Sequence, residues 1–464
     1  MQRRHLTSYS RLESAYARVY EPKTVEELQQ ILKREQAEKH NITFRGAGFS
    51  FDAQSLNDDT VILLHQLNAI KTIDQEKAQI TVEPGARWRD IVHLLRPLRL
   101  IPYVLVTTGQ ATAGGTLSAD CYSRSSPRYG KEGSHVARFQ LLTVDGKLLE
   151  CSRQENQELF HAVIGGFGYL GVVIEITYNL LQIGTKTQVQ TIINKYTSLE
   201  SLVAGLRQHM NELEDWDAVY AIAFFSGNQE KGFVCRSRYS ADRHFKRLLI
   251  YRRSSWFRIL FEWLMRFAWI NTLVLNIAFR FLIKDNETYL DDFEGYTFFM
   301  ESNRRSKEIA SRFGIQLPTI QQTFIVPEST VLEFLHTLSA ILRENRLTPS
   351  LFDIVPIPAD DFLMSASRTL DGFAVSVAFE DLNKGKILEL RRQLQAMSTV
   401  CWKLGGRVHL VKNVYATPEQ LRTMYADSME TFLHLKEQVD QDRVLQNRFF
   451  ERIFIEPKKM TMKR

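Results

Sequence analysis

Four glycine-rich turns between residues 46 and 171 restrict this chain more than any other feature. They are Gly46/Gly48 in FRGAGFSFDAQ, Gly85 in VEPGARW, Gly114/Gly115 in TAGGTLSAD, and Gly165/Gly166/Gly168/Gly171 in GGFGYLG. Each sits at the end of a strand-like run or between two short elements. Glycine has no Cβ, so its backbone can approach a ligand closely, and successive N–H groups can converge on one anion. A set of such turns in the first part of the chain predicts an extended ligand wrapped by several loops, with a pyrophosphate among its groups. The common nucleotide motifs do not account for them. In GAGFSF, Phe51 stands where the third glycine of a dinucleotide fingerprint belongs. GFGYLG does match that fingerprint, but the β-branched run VVIEIT follows it rather than a helix.

Periodicity supplies a frame around these turns. Thr24 and Glu27 have capping-box spacing, and Val25, Leu28 and Leu32 share one face, so the spacing predicts a helix over 24–33. Strands are expected at 42–44, 61–64, 79–82 and 103–106. Asp145-Gly146 predicts a hairpin joining 138–144 to 147–151. Beyond about residue 184 glycines become scarce. Strand patterns at 188–193, 218–225, 322–326, 351–355 and 373–379, with helix patterns at 199–213, 331–343 and 386–404, predict an antiparallel sheet with helices on one face. The tail adds a strand at 408–411 and a helix at 418–434. The chain is therefore expected to be α+β, with domains at 1–184 and 185–404 and a segment, 405–464, returning to the first domain.

Charge and cysteine content narrow the function classes. The formal net charge is +6, and Lys and Arg are spread along the chain. That distribution speaks against a nucleic-acid partner and favours an anionic ligand or an anionic membrane surface. The four cysteines form no CxxC pair, so no metal site is expected and a reducing, cytoplasmic setting is. The basic start MQRRH has no apolar run after it, so no secretory leader is expected. The segment 256–283 is very apolar, but its longest uncharged run, 267–279, has 13 residues. A membrane span needs roughly 20. This predicts either a lid or core helix pair, or a helix making peripheral contact with a lipid surface.

In order, FRGAGFSFDAQ, VEPGARWRDI, TAGGTLSAD and LLTVDGKLLECSRQENQELFHAVIGGFGYLGVV resemble the FAD-binding PCMH-type domain of the vanillyl-alcohol-oxidase superfamily, over about residues 15–182. The resemblance implies a two-lobed FAD-binding domain with an antiparallel-sheet cap domain over the flavin. It assigns FAD contacts to Arg45, Gly46, Ala47, Gly48, Phe49 and Ser50. A second set is Thr108, Gly109, Thr112, Gly114, Gly115, Ser118 and Tyr122, and a third is Gly168, Gly171, Val172 and Val173. Many relatives carry, after the second glycine, a histidine that bonds flavin covalently. Phe49 stands there, which implies non-covalent FAD, with Cys121 as the other attachment point to consider.

Further on, GGRVHLVKNVYATPEQLRTMYADSMETFLHLKEQVDQDRV resembles the decaprenylphosphoryl-ribose oxidases of this superfamily. Lys412 matches their lysine beside flavin and substrate, and Gln321 in IQQTFIVP matches a substrate-strand glutamine. Ser376 and Ala374 stand where those enzymes have cysteine and asparagine, and Tyr122 falls near a family histidine. Tyr415 is a candidate phenol donor. Strand alternation would put His409 on the face opposite Lys412. Arg124, Arg128 and Lys131 in SRSSPRYGK are candidates for holding a substrate phosphate. His409-Leu-Val-Lys412 is also similar to the HWAK motif of sugar-lactone oxidases, without its tryptophan.

The resemblance implies FAD-dependent oxidation of a secondary alcohol, on a sugar or lipid-linked sugar, by hydride transfer to flavin N5, with the electron acceptor open. The alternatives are a sugar-lactone oxidase, a lipid-alkene reductase, and a non-catalytic flavin-binding partner subunit.

Overall fold

The computed structural model describes residues 3–226, 229–242, 260, 263–265, 267–380 and 382–455. Among them the strands form three sheets. The first runs Arg3–Thr7, Ser14–Tyr20, Thr60–Leu63, Ile42–Arg45, and its last two pairings are parallel. The second is antiparallel and built on the long strand Val172–Gln182, flanked by Gln79–Val82 and Val136–Leu142. The third has eight strands, all antiparallel, ordered Glu287–Asp292, Gln188–Tyr196, Gln229–Ser240, Ala218–Ser226, Leu351–Ile357, Gly372–Phe379, Ile320–Pro327, Arg407–Val408. This is the α+β arrangement that the sequence predicts.

Helices Leu199–Met210, Val331–Glu344 and Lys384–Lys403 pack together against one face of the third sheet. Two of them begin with a cue the chain writes locally. Ser198 forms a capping box with Ser201, and Asn383 accepts from the Lys386 N–H. Every residue of Gly372–Phe379 is buried, because helices cover one face and the first domain covers the other. One apolar core is continuous across the two, from Trp88 and Ile176 to Phe324, Ile354 and Val377. The first helix, Val25–Ala37, starts at Thr24 as expected, although Glu27 reaches back to the Lys23 N–H and not to that of the cap.

Four expectations need correcting. The strand expected at 103–106 is instead Leu100–Pro102, paired with Leu180–Gln182, after which Tyr103 leaves to stack on His135 at 4.0 Å. The strand expected at 408–411 ends at Val408. The single helix expected at 418–434 is two, Pro418–Met424 and Ala426–Val439, broken at Tyr425, whose hydroxyl donates to the Val408 carbonyl at 2.8 Å. Strands Gln229–Ser240 and Glu287–Asp292 were not anticipated, because their charged residues blur the alternation.

Of the apolar segment 256–283, residues 256–259, 261, 262 and 266 lie outside the described residues. The helix Ala268–Ile277 runs into a wider π-type turn, Ala278–Leu282. Phe279 is buried on its inner side between Phe224 and Phe233. Trp269, Leu273, Ile277 and Phe281, four residues apart, are exposed, Trp269 and Phe281 by 69% each. Among the described residues no helix is long and apolar enough to cross a membrane.

Candidate active site

A cavity of about 300 Å³ lies between the glycine turns of the first domain and the helix-free face of the third sheet. Its first wall is the turn after Ile42–Arg45. Arg45, Gly46, Ala47, Gly48, Phe49 and Ser50 all line it. A Cβ on Gly46 would lie 2.3 Å from Thr112 Oγ1, so the two turns meet with no room for a side chain. Gly48 has φ +79°, a left-handed conformation that suits glycine. Arg45 does not reach into the cavity as a charge: its guanidinium donates to the Thr7 carbonyl at 2.8 Å and to Ser55 Oγ at 3.1 Å. Burial, with Arg11 adding to it, pulls its pKa down to about 10, so it stays charged at neutral pH.

Thr108, Thr112, Gly114, Gly115, Ser118 and Tyr122 line the second wall, and Gly168 borders both. Thr112 Oγ1 is buried and has no hydrogen-bond partner. A buried hydroxyl in that state calls for an acceptor or donor from a ligand. An orphaned hydroxyl, bare backbone at Gly46, Gly48, Gly114 and Gly115, and no carboxylate lining this end together fit the diphosphate of FAD.

The structure leaves several expected contacts outside the cavity. The Gly109 N–H and the Thr108 hydroxyl both donate to Glu301 Oε1, at 2.9 and 2.8 Å, which turns Gly109 toward the second domain. Gly171, Val172 and Val173 belong to sheet packing. A Cβ on Gly171 would meet the Leu142 carbonyl at 2.7 Å, and the two valines pair with Leu142 and Leu141. Tyr415 also lies away from the cavity, with its N–H on Gln322 and its ring beside Arg391.

The opposite end is built by period-two alternation. Leu351, Asp353 and Val355 point from their strand into the cavity, beside Ile222 and Gln321. In register with Asp353 lie Ser376 and, beyond it, Thr323. Their hydroxyls bond each other, and Ser376 Oγ also meets the Tyr122 hydroxyl at 3.2 Å. Asp353 Oδ1 is buried without a partner. Burial raises the Asp353 pKa to about 6, against the pull of Arg124 and Lys412.

Lys412 lines this end with its ammonium 4.4 Å from the Phe51 ring centre and makes no ion pair among the described residues. Burial lowers its pKa, with Cys121 and Asp353 acting the other way. Its backbone is clamped from both domains. Gln54 Nε2 donates to the carbonyls of Leu410 and Lys412, at 2.8 and 3.0 Å. Asn413 and Gln321 exchange bonds of 2.9 and 3.0 Å, and Asn413 Nδ2 donates to the Phe51 carbonyl at 3.2 Å. The His409 N–H still bonds the Thr323 carbonyl and the Asn413 N–H the Gln321 carbonyl, but the chain turns at 410–411 between them, and so His409 and Lys412 line the same cavity rather than facing opposite ways. His409 packs against Tyr122 at 5.6 Å, and burial holds its pKa well below the usual histidine range, so it is neutral.

Of the three basic residues in SRSSPRYGK, only Arg124 faces the cavity, with its guanidinium over the rings of Phe299 (4.0 Å) and Tyr220 (4.4 Å). Arg128 donates to the Trp216 carbonyl and lies beside Asp217. Lys131 is buried between Asp120 and Asp360, joining the two domains. Sequence reasoning missed Gln54, Asn413 and Asp353. Asp353 had a visible signal, a lone acid in the apolar run SLFDIVPI.

Residues 16–152 match the FAD binding domain family, and residues 295–453 match the D-arabinono-1,4-lactone oxidase family. The chain is 23% identical to L-gulonolactone oxidase of Bos taurus over 446 residues, 94% of each protein. It is 22% identical to decaprenylphosphoryl-beta-D-ribose oxidase of Mycolicibacterium smegmatis over 413 residues, 86% of each. An oxidoreductase of the fasciation locus of Rhodococcoides fascians is 34% identical over 160 residues, 34% of this chain and 36% of that protein.

Proposed function

We propose that this chain, whose residues 16–152 match the FAD binding domain family and 295–453 the D-arabinono-1,4-lactone oxidase family, is an FAD-dependent oxidoreductase that oxidises a secondary hydroxyl of a sugar-type substrate, free, as a lactone, or lipid-linked. The observation that carries this reading is that a glycine cradle and a hydroxyl-recognising end, with Lys412, Gln321 and Asp353, share one cavity. The bound FAD supplies the hydride acceptor.

The residues divide the remaining work. Gly46, Gly48, Gly114 and Gly115 let the backbone meet the diphosphate, and Thr112 offers it a hydroxyl. The Lys412 ammonium, in a cavity walled by Phe51, Leu351 and Val355, stabilises negative charge that develops during transfer, where water would otherwise screen it. The Gln321 amide and the Tyr122 hydroxyl orient substrate hydroxyls, and Ser376 Oγ holds the Tyr122 hydroxyl in place at 3.2 Å. Turnover with an artificial electron acceptor tests the reading. Aldono-1,4-lactones, aldoses and a prenyl-phospho-pentose are the probes, and at least one of them drives acceptor reduction. No reduction with any of them would sink the assignment.

The flavin is proposed to be non-covalent. Phe49 offers no nucleophile, and burial raises the Cys121 pKa, keeping its thiol protonated and unreactive. Acid precipitation is then expected to release all of the yellow colour into the supernatant. Colour left in the pellet would contradict this.

The exposed stripe Trp269, Leu273, Ile277, Phe281 supports peripheral contact with a lipid surface. Arg280 and Lys284 beside it, and the net charge of +6, suit anionic lipid. Co-sedimentation with phosphatidylglycerol vesicles is expected for the wild type and reduced at least about tenfold in Trp269→Ser/Phe281→Ser, since each buried aromatic contributes on the order of 1.5–3 kcal/mol. Equal binding by the two would end the idea.

A further inference from the structure

Oxidation of a hydroxyl releases a proton, and a base in the cavity within reach of that hydroxyl speeds its removal. This inference rests on the sugar-hydroxyl reading above. Lys412 donates while it is charged, and its side chain stands on the Phe51 ring, 4.4 Å from the ring centre. The Gln321 amide cannot accept a proton at any ordinary pH. Ser376, Thr323 and Tyr122 already bond one another. His409 is neutral, but its ring is buried against Tyr122. Asp353 differs from all of them. Its Oδ1 is enclosed and makes no hydrogen bond, an expensive state for a carboxylate that no neighbour uses. The strand's alternation aims it at the cavity, between Leu351 and Val355.

We propose that Asp353 is a catalytic residue, the acceptor of the proton from the hydroxyl being oxidised. In the step, the substrate O–H bond breaks and its proton binds Asp353 Oδ1, giving the neutral acid. The C–H bond on the same carbon breaks with its electron pair, which passes as hydride to the bound FAD, and a C=O bond forms. The substrate loses two electrons and the flavin gains them. Burial is the largest influence on the proton affinity of Asp353, and two charged groups oppose it. Arg124 from the loop after Tyr122, and Lys412 from the clamped turn, favour the ionised form. Tyr122, Cys121 and His409 face the same space as neutral groups, each held so by burial. A base with its pKa raised to about 6 is ionised at neutral pH yet basic enough to take a proton.

The test uses the holoenzyme and its Asp353→Asn and Asp353→Glu variants, mixed anaerobically with L-gulono-1,4-lactone, D-arabinono-1,4-lactone and a prenyl-phospho-pentose. Asp353→Asn is expected to keep its FAD and its flavin spectrum. Its rate of flavin reduction falls about 100-fold or more. The wild-type rate falls toward acid pH through about 6, and this limb disappears in Asp353→Asn. Asp353→Glu recovers part of the rate. An unchanged rate in Asp353→Asn, or an acid limb that survives, overturns the assignment, as does a loss that appears only in His409→Gln. A second reading needs no substrate. Infrared difference spectra across pH 6 show a protonated-carboxyl band in the wild type that is missing in Asp353→Asn. Its absence from the wild type overturns the assignment too. If no probe reduces the wild-type flavin, the proposed function has failed, and the infrared titration still decides the state of Asp353.

Discussion

Gly46→Val is expected to give a folded protein that no longer holds FAD. A Cβ at this position lies 2.3 Å from Thr112 Oγ1, and valine adds two methyl groups beyond it. Either the side chain enters the cradle or the two turns part. Overpacking of this kind costs about 1–3 kcal/mol before any lost contact to the diphosphate is counted. The FAD dissociation constant should therefore rise at least about 100-fold. Two measurements check it: the flavin-to-protein absorbance ratio of the purified protein, and the rise in Tm on adding FAD, which the variant loses. Gly146→Ala is the control. Nothing lies within 4 Å of its Cβ, and its φ of +85° makes the change a matter of turn strain far from the cavity. It should lower Tm while leaving the flavin content unchanged. A Gly46→Val protein with full FAD would show that the cofactor does not use this turn.

Lys412→Met separates function from stability. Methionine keeps the apolar stem and removes the charge. Burial holds the lysine's folded-state pKa below its unfolded value. The folded state therefore binds the proton less well than the unfolded chain, and the charged form works against folding. Removing it should leave Tm unchanged or raise it. The rate of flavin reduction by substrate should fall about 10²–10³-fold, the usual effect of deleting one preorganised stabiliser of transition-state charge. FAD content should stay at the wild-type level, because bare backbone at Gly46, Gly48, Gly114 and Gly115 and the Thr112 hydroxyl, not the ammonium, form the diphosphate cradle. A stable variant with an undiminished rate would mean that Lys412 serves packing on Phe51 alone, and a non-catalytic flavin-binding subunit would then fit the chain better.

The two halves of the chain were unequally legible in its sequence. In the first half the determinants are local. The Asp145-Gly146 hairpin, the cap at Thr24 and the bare turns at Gly46 and Gly114 each declare themselves within a few residues. Even there, Gly171, assigned to FAD by the resemblance alone, does not line the cavity, and its Cβ position faces the Leu142 carbonyl at 2.7 Å. The substrate end was less legible because long-range bonds make it. Gln54 reaches the carbonyls of Leu410 and Lys412 from 356 and 358 residues away. Those bonds hold a turn at 410–411 that the local pattern does not declare, and the turn brings His409 and Lys412 onto one cavity. Lys131 shows the same limit. A basic residue in a polar-looking loop reads as a solvent-facing phosphate contact, yet two aspartates from separate domains bury it. Asp353 could have been found, since a single acid within an apolar strand is either a fault or a function.

The most direct test of the account is the direction of electron flow in one anaerobic cuvette. The FAD-loaded protein is mixed first with an aldono-1,4-lactone or prenyl-phospho-pentose, then, in a separate sample, with NADPH alone. A hydroxylated sugar probe should bleach the flavin bands, and NADPH should leave them unchanged. Bleaching by NADPH, with the sugar probes inert, would mark a reductase and contradict this expectation.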